Sequence, residues 1–205
     1  FFFFFFFFES NNFIMSLSQL SSGYKISFIG DSNVGKTSII TRCNSTTFDQ
    51  VTTPTVGVSN TQALIKLDNQ KVSLNIWDTA GQERFRSLVP VYLHDAKCVV
   101  IVFDISQRSS FESLDSWLQK IHDVVDGKTQ IVVCANKCDL EKEVSISECK
   151  KWCEDNECEF YMTSAATGEN ISDLFKGIAQ LVTAPKMIPA YPTSNLEPSQ
   201  EKKCC

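Results

Sequence analysis

In Tyr24-Lys25-Ile26-Ser27-Phe28-Ile29-Gly30-Asp31-Ser32-Asn33-Val34-Gly35-Lys36-Thr37 an apolar run passes between two glycines into a polar helix start. Tyr24 to Ile29 reads as a β-strand, Gly30 to Gly35 as a loop, and Lys36 as the opening of a helix, which together make one α/β unit. A loop of this kind turns consecutive backbone amides toward an anion, and the helix N-terminus adds partial positive charge. Lys36 is placed to reach the outer phosphates of a nucleotide and the Thr37 hydroxyl to ligand Mg²⁺. Ser32, Asn33, Val34, Gly35, Lys36, Thr37 and Ser38 are the candidate nucleotide-contacting residues here. The competing reading is a glycine turn that binds nothing, and the lysine and threonine in register argue against it.

The flanking sequence repeats this alternation. Thr61 to Leu67 and Lys71 to Asp78 surround Asp68-Asn69-Gln70, with Val72, Leu74 and Ile76 alternating against Lys71, Ser73 and Asn75, the pattern of a half-exposed hairpin. Cys98 to Phe103 and Gln130 to Ala135 are unbroken apolar runs, as expected of strands covered on both faces, and Glu159 to Met162 is a weaker strand candidate. Phe111, Leu114, Leu118, Ile121 and Val125 follow helical spacing after Ser109-Ser110-Phe111-Glu112, which has the form of a capping box. A second box, Ser145-Ile146-Ser147-Glu148, opens another helix, and Asn170 stands as a cap before Ile171, Leu174, Phe175 and Ile178. The expected fold is three-layer α/β, a mostly parallel sheet of six strands with one antiparallel edge strand and helices on both faces.

Three further segments fall at carboxyl ends of strands, where ligands bind in open α/β sheets. In Asp78-Thr79-Ala80-Gly81-Gln82-Glu83, Asp78 can hold a water on Mg²⁺, Gly81 lets its amide approach a terminal phosphate, and Gln82 can orient an attacking water as the catalytic residue. In Asn136-Lys137-Cys138-Asp139, the Asp139 carboxylate can accept two hydrogen bonds from the N1-H and 2-amino group of guanine, a donor pair that adenine lacks. Ser164-Ala165 offers a backbone amide to the guanine carbonyl. An Asx turn would account for Asn136 alone, but not for four separate segments meeting on one edge. The combination points to GTP and GDP with Mg²⁺.

Composition narrows the remaining classes. The chain has 205 residues, 43% hydrophobic and 21% charged, enough for one packed domain of about 165 residues plus terminal extensions. Its net charge of -5 removes a general electrostatic grip on nucleic acid. Nine cysteines, several inside apolar segments, read as reduced cytosolic thiols, and Cys149, Cys153 and Cys158 match no common zinc spacing. Residues 1–22 are read as an extension in which Phe1 to Phe8 is too short to span a bilayer; since Met15-Ser16-Leu17 opens an ordinary soluble sequence, Met15 is the expected start and the phenylalanine tract an expected artefact. The domain is expected over 23–183. Prolines at 185, 189, 192 and 198 mark 184–205 as a flexible tail ending Cys204-Cys205, paired thiols suited to lipidation.

Residues 24–182 resemble the small GTPases of the Ras superfamily and, within it, the Rab family. The Rab likeness lies in Trp77-Asp78-Thr79-Ala80-Gly81-Gln82-Glu83-Arg84-Phe85-Arg86-Ser87-Leu88 and in Cys204-Cys205. Pro90, Tyr92, Asp95 and Val102-Phe103-Asp104-Ile105 are most similar to the Golgi and retrograde-traffic branch. The resemblance implies a P-loop GTPase (G domain) fold and a monomeric switch governing vesicle traffic on an endomembrane. Its implied partners are an exchange factor (GEF), a GAP, GDI, the Rab escort protein and effectors. It also implies that the Thr55 hydroxyl joins Mg²⁺ in the GTP state, that Phe48 packs edge-on against guanine, and that Cys204 and Cys205 carry geranylgeranyl groups. Ala166 departs from the family's usual lysine over the guanine ring, and Ser59-Asn60 replaces Asp-Phe, leaving Trp77 and Tyr92 of three effector-surface aromatics.

From Asn44 to Asn60 there is no lysine or arginine, so no arginine finger is supplied in cis there and slow intrinsic turnover is expected. Three other classes stay open on the residues: a P-loop enzyme using ATP, a GTP-binding scaffold with negligible turnover, and a Ras- or Rho-like signalling GTPase. The last normally ends in a CaaX box, and an Arf-like protein begins Met-Gly.

Overall fold

The computed structural model describes residues 23–44, 58–68, 70–79, 89–125, 127 and 129–184. The chain runs β1 (Tyr24–Ile29), α1 (Lys36–Asn44), β2 (Val58–Leu67), β3 (Gln70–Thr79), α2 (Val89–Leu93), β4 (Cys98–Asp104), α3 (Arg108–Glu112), α4 (Leu114–His122), β5 (Gln130–Asn136), α5 (Ile146–Asp155), β6 (Glu159–Met162) and α6 (Ile171–Thr183). The sheet has six strands in the order β2-β3-β1-β4-β5-β6, antiparallel only between the edge strand β2 and β3. The expected architecture is the observed one.

Its layers follow from strand pleating, because alternate residues face opposite sides. All seven residues of β4 are buried. Cys98, Val100 and Val102 join one apolar cluster with Ile39 of α1 and Leu174, Phe175 and Ile178 of α6. Val99, Ile101 and Phe103 join a second with Phe111 of α3, Leu114, Trp117 and Ile121 of α4, and Cys149 and Cys153 of α5. Rings stack at 5.9 Å between Phe28 and Phe175 in the first, and meet edge-on at 5.5 Å between Phe103 and Phe111 in the second. Each such side chain contributes roughly 1.5–3 kcal/mol by leaving water, so the two faces hold the central strands firmly.

Two central strands extend one residue beyond their apolar runs, to Asp104 and Asn136. Backbone pairing carries both polar residues to the carboxyl edge, and Asp104 pairs with Asn136 in register. The β2–β3 ladder is also longer than its alternation suggests, running from Val58 opposite Thr79 to Leu67 opposite Gln70.

Helix starts agree only in part. Ser145 accepts from the Glu148 amide at 3.2 Å and caps α5 as expected. The box at Ser109 does not form: α3 begins at Arg108 after Gln107, which makes no side-chain cap bond. Ser110 is drawn instead to the end of β4, where its hydroxyl accepts from the Asp104 amide at 3.0 Å and lies 2.9 Å from the Asp104 carbonyl. Glu112 faces Arg108, and Ser113 divides the expected single helix into α3 and α4. Asn170 precedes α6 but is left-handed (φ 56°), and its side-chain amide donates to the Met162 carbonyl at 2.9 Å rather than capping. Among the described residues no helix is long and apolar enough to cross a membrane.

Candidate functional site

The polar ends of β1, β3, β5 and β6 converge on one edge of the sheet. The loop after β1 needs its glycines for different reasons. Gly30 has φ 135°, and a side chain there would drive into the Val102 carbonyl of β4. Gly35 has φ 95°, and a Cβ would overlap the Asn136 amide nitrogen. Both positions keep the loop flat against its neighbours.

Lys36 is only 5% exposed. Its ammonium donates to the Gly30 carbonyl at 2.9 Å and the Asp31 carbonyl at 2.7 Å, so the loop folds around the lysine stem. Burial lowers its pKa to about 8, with the Asp78 and Asp31 carboxylates pulling the other way. Beside it the Thr37 hydroxyl donates to Asp78 Oδ2 at 2.6 Å, and Asp78 is 2% exposed. The end of β3 is fastened to β1 by Thr79, whose hydroxyl donates to the Phe28 carbonyl at 2.7 Å. A hydroxyl and a carboxylate in contact, next to a buried ammonium, are the hard oxygen donors and countercharge that suit Mg²⁺ bound with phosphates. Thr37 would bind the ion directly and Asp78 would hold its water.

At the other end Asn136, 1% exposed, clasps three segments. Its amide donates to the Val34 carbonyl at 2.8 Å, and its Oδ1 accepts from the Thr163 hydroxyl and from the Ala165 amide, each at 3.2 Å. Its structural part is therefore to tie the phosphate loop to the loop after β6, and the Ala165 amide is engaged in that tie. Ser164 is fully buried and its hydroxyl accepts from the Thr167 amide at 3.1 Å. Asp139 and Ala166 are exposed at the rim.

The sequence motifs did not reveal how Lys137 is held. It is left-handed (φ 63°) and its ammonium lies 2.6 Å from Asp104 Oδ2. The second Asp104 oxygen accepts from the Ser106 amide at 2.9 Å and the Ser106 hydroxyl at 2.6 Å. Its one visible sign in the sequence was an acidic residue ending a fully apolar strand. Ser32, Asn33 and Ser38 sit on the loop and first turn as expected, Asn33 left-handed at φ 64°. Phe48, Thr55, Gly81, Gln82, Cys204 and Cys205 lie outside the described residues.

Among known protein families, residues 25–184 match the Ras family. The chain belongs to the Ras family. Its domain is thus a GTPase domain that binds GTP and GDP and supports a GTP-dependent switch. Bound Mg²⁺ supplies neutralisation of charge on the phosphate oxygens. The chain's own residues would supply the rest: loop amides and Lys36 would hold the phosphates in place, while Asn136 fixes the spacing of the loops after β1 and β6. His94 and His122 are exposed and stand outside this site.

Proposed function

We propose that this Ras-family protein is a Rab-type switch that recruits effectors in its GTP state and directs vesicle traffic at the cytoplasmic face of Golgi-related membranes. The observation that carries the reading is the Trp77-to-Leu88 segment on a Ras-family chain that also holds the adjacent Cys204-Cys205 pair. Two prenyl chains give stable attachment where one gives marginal binding, and cycling with the cytosol calls for GDI after delivery by an escort protein.

Switching follows from Thr55 and Gly81 being tethered to one γ-phosphate and released on hydrolysis. Gln82 orients the water, and with no cationic side chain from Asn44 to Asn60 the intrinsic rate is on the order of 10⁻⁴ to 10⁻³ s⁻¹, raised roughly 10³- to 10⁵-fold by a GAP. On the effector side, Trp77 is half-buried with the Lys25 ammonium 4.5 Å above its ring and Asn60 opposite it on β2, whereas Tyr92 is 8% exposed. Trp77 therefore offers the accessible aromatic surface and Asn60 a polar neighbour.

The test is imaging of tagged wild type beside Thr37→Asn. Wild type should label Golgi-related membranes and the variant should lose that label. Uniform cytosolic signal in both, or plasma-membrane signal, would sink the trafficking reading.

A further inference from the structure

Asp31 is an acidic residue inside a loop whose ligand is anionic. Its side chain is not left to choose a direction. Trp117 of α4, 86 positions away in sequence, donates its indole N-H to Asp31 Oδ1 at 3.0 Å. The ring is 4% exposed and packs in the apolar cluster with Leu93, Phe103, Phe111, Leu114 and Ile121, so its orientation is set by the core. The Lys120 ammonium lies 4.4 Å from the ring centroid and donates to Ser116 Oγ at 2.9 Å. Meanwhile the Asp31 carbonyl accepts from Lys36 at 2.7 Å. One residue thus has its side chain tied to α4 and its backbone tied to the phosphate-binding lysine.

We propose that Trp117 is a positioning residue for nucleotide binding, holding the Asp31 carboxylate against α4 so that it does not compete with phosphate for the Lys36 ammonium. The Asp31 backbone already lies 2.7 Å from the Lys36 ammonium, so a released carboxylate on the same residue is within reach of that cation and the competition is physically available. A rigid indole anchored in the core is a better restraint than a flexible donor, because little rotamer freedom is lost when its bond forms.

The inference rests on nucleotide binding at Lys36 and is independent of the trafficking reading. Full-length protein is loaded with fluorescently labelled GDP and the label is chased with excess GDP. Trp117→Phe keeps an aromatic ring but removes the donor, and should speed release roughly threefold to tenfold, the scale of one typical net hydrogen bond. In an Asp31→Ala background the same Trp117→Phe change should alter release less than twofold, since no carboxylate remains to be restrained. A purely structural tryptophan would give the same factor in both backgrounds, and that result, or no effect of Trp117→Phe in otherwise wild-type protein, overturns the inference. Should Trp117→Phe fail to fold, Asp31→Glu leaves the helix intact while lengthening the acid beyond the indole's set distance. It should release label faster than Asp31→Ala, and equal or slower release overturns the inference. Wild type that takes up no label at all sinks the nucleotide reading and this inference together.

Discussion

The phosphate end of the site buries a cation and the base end buries a neutral amide. Lys36 is held by two carbonyls and partly balanced by Asp78 and Asp31, at a cost visible in its lowered pKa. Asn136 instead donates to Val34 and accepts from Thr163 and Ala165, closing a network that carries no charge. The first arrangement is poised for an anion, whereas the second is complete without a ligand. Removing a residue from the poised end should therefore cost binding, and removing one from the closed end should cost the fold itself.

The largest effect is expected for Lys36→Met. Nucleotide affinity, measured by calorimetry on stripped protein, should fall by about two to three powers of ten, the scale for removing one partner of a buried charge pair. The unfolding temperature of the stripped variant should rise at pH 7, because a buried cation has been replaced by an apolar side chain of similar length. A lower unfolding temperature would erase the contrast between the two ends.

Asn136→Ala should behave in the opposite way. It strands the Val34 carbonyl and the Ala165 amide and leaves the Thr163 hydroxyl only the Cys134 thiol, so a loss of about 3 kcal/mol and a drop of roughly 6–12 °C in unfolding temperature are expected with or without nucleotide. Thermal unfolding in both states checks this. A loss confined to the nucleotide-bound form would make Asn136 a ligand contact rather than a clasp.

A pH series separates the ends more finely. The Lys36 pKa is about 8 in the fold against 10.5 for the free group, so between these values the unfolded chain binds more protons at this site. Stability of the stripped protein therefore gains a rising contribution from Lys36 as pH climbs from 8 to 10.5. Buried thiols act against it above about pH 9: burial pushes Cys43 and Cys158 up to about 11 and Cys153 up to about 12, so the fold retains protons that the unfolded chain releases. The measurement is thus the difference between wild type and Lys36→Met in denaturant unfolding, and that difference should grow in favour of wild type over this window. Asn136→Ala should leave its pH slope unchanged.

The smallest effect is expected at the rim. Ala166 is exposed beside the Asn136 clasp, and Ala166→Lys should slow nucleotide dissociation about threefold to tenfold by laying an aliphatic stem over the base. Release of labelled GDP measures it, and the unfolding temperature of stripped protein should stay within a degree or two of wild type.

Much of this was readable along the chain because the signals are local. Apolar runs together with alternation pointed to all six strands, and the glycine-lysine-threonine series marked the loop after β1. The failures had a common cause. Ser109-Ser110-Phe111-Glu112 has the composition of a capping box, yet the pull of Asp104 on Ser110 sets the helix start one residue earlier than Ser109. Asn170 is at the right place to cap α6, but the Met162 carbonyl takes its amide.

From the linear order of residues alone came the α/β alternation and the GTP-directed motifs, both properties of neighbours within a few positions. Tertiary structure alone assigned Asn136 to Val34, Lys137 to Asp104 and Trp117 to Asp31, contacts between residues 102, 33 and 86 positions apart. The reason is that hydrogen bonds act over about 3 Å, and only the packed sheet brings such distant groups within that range.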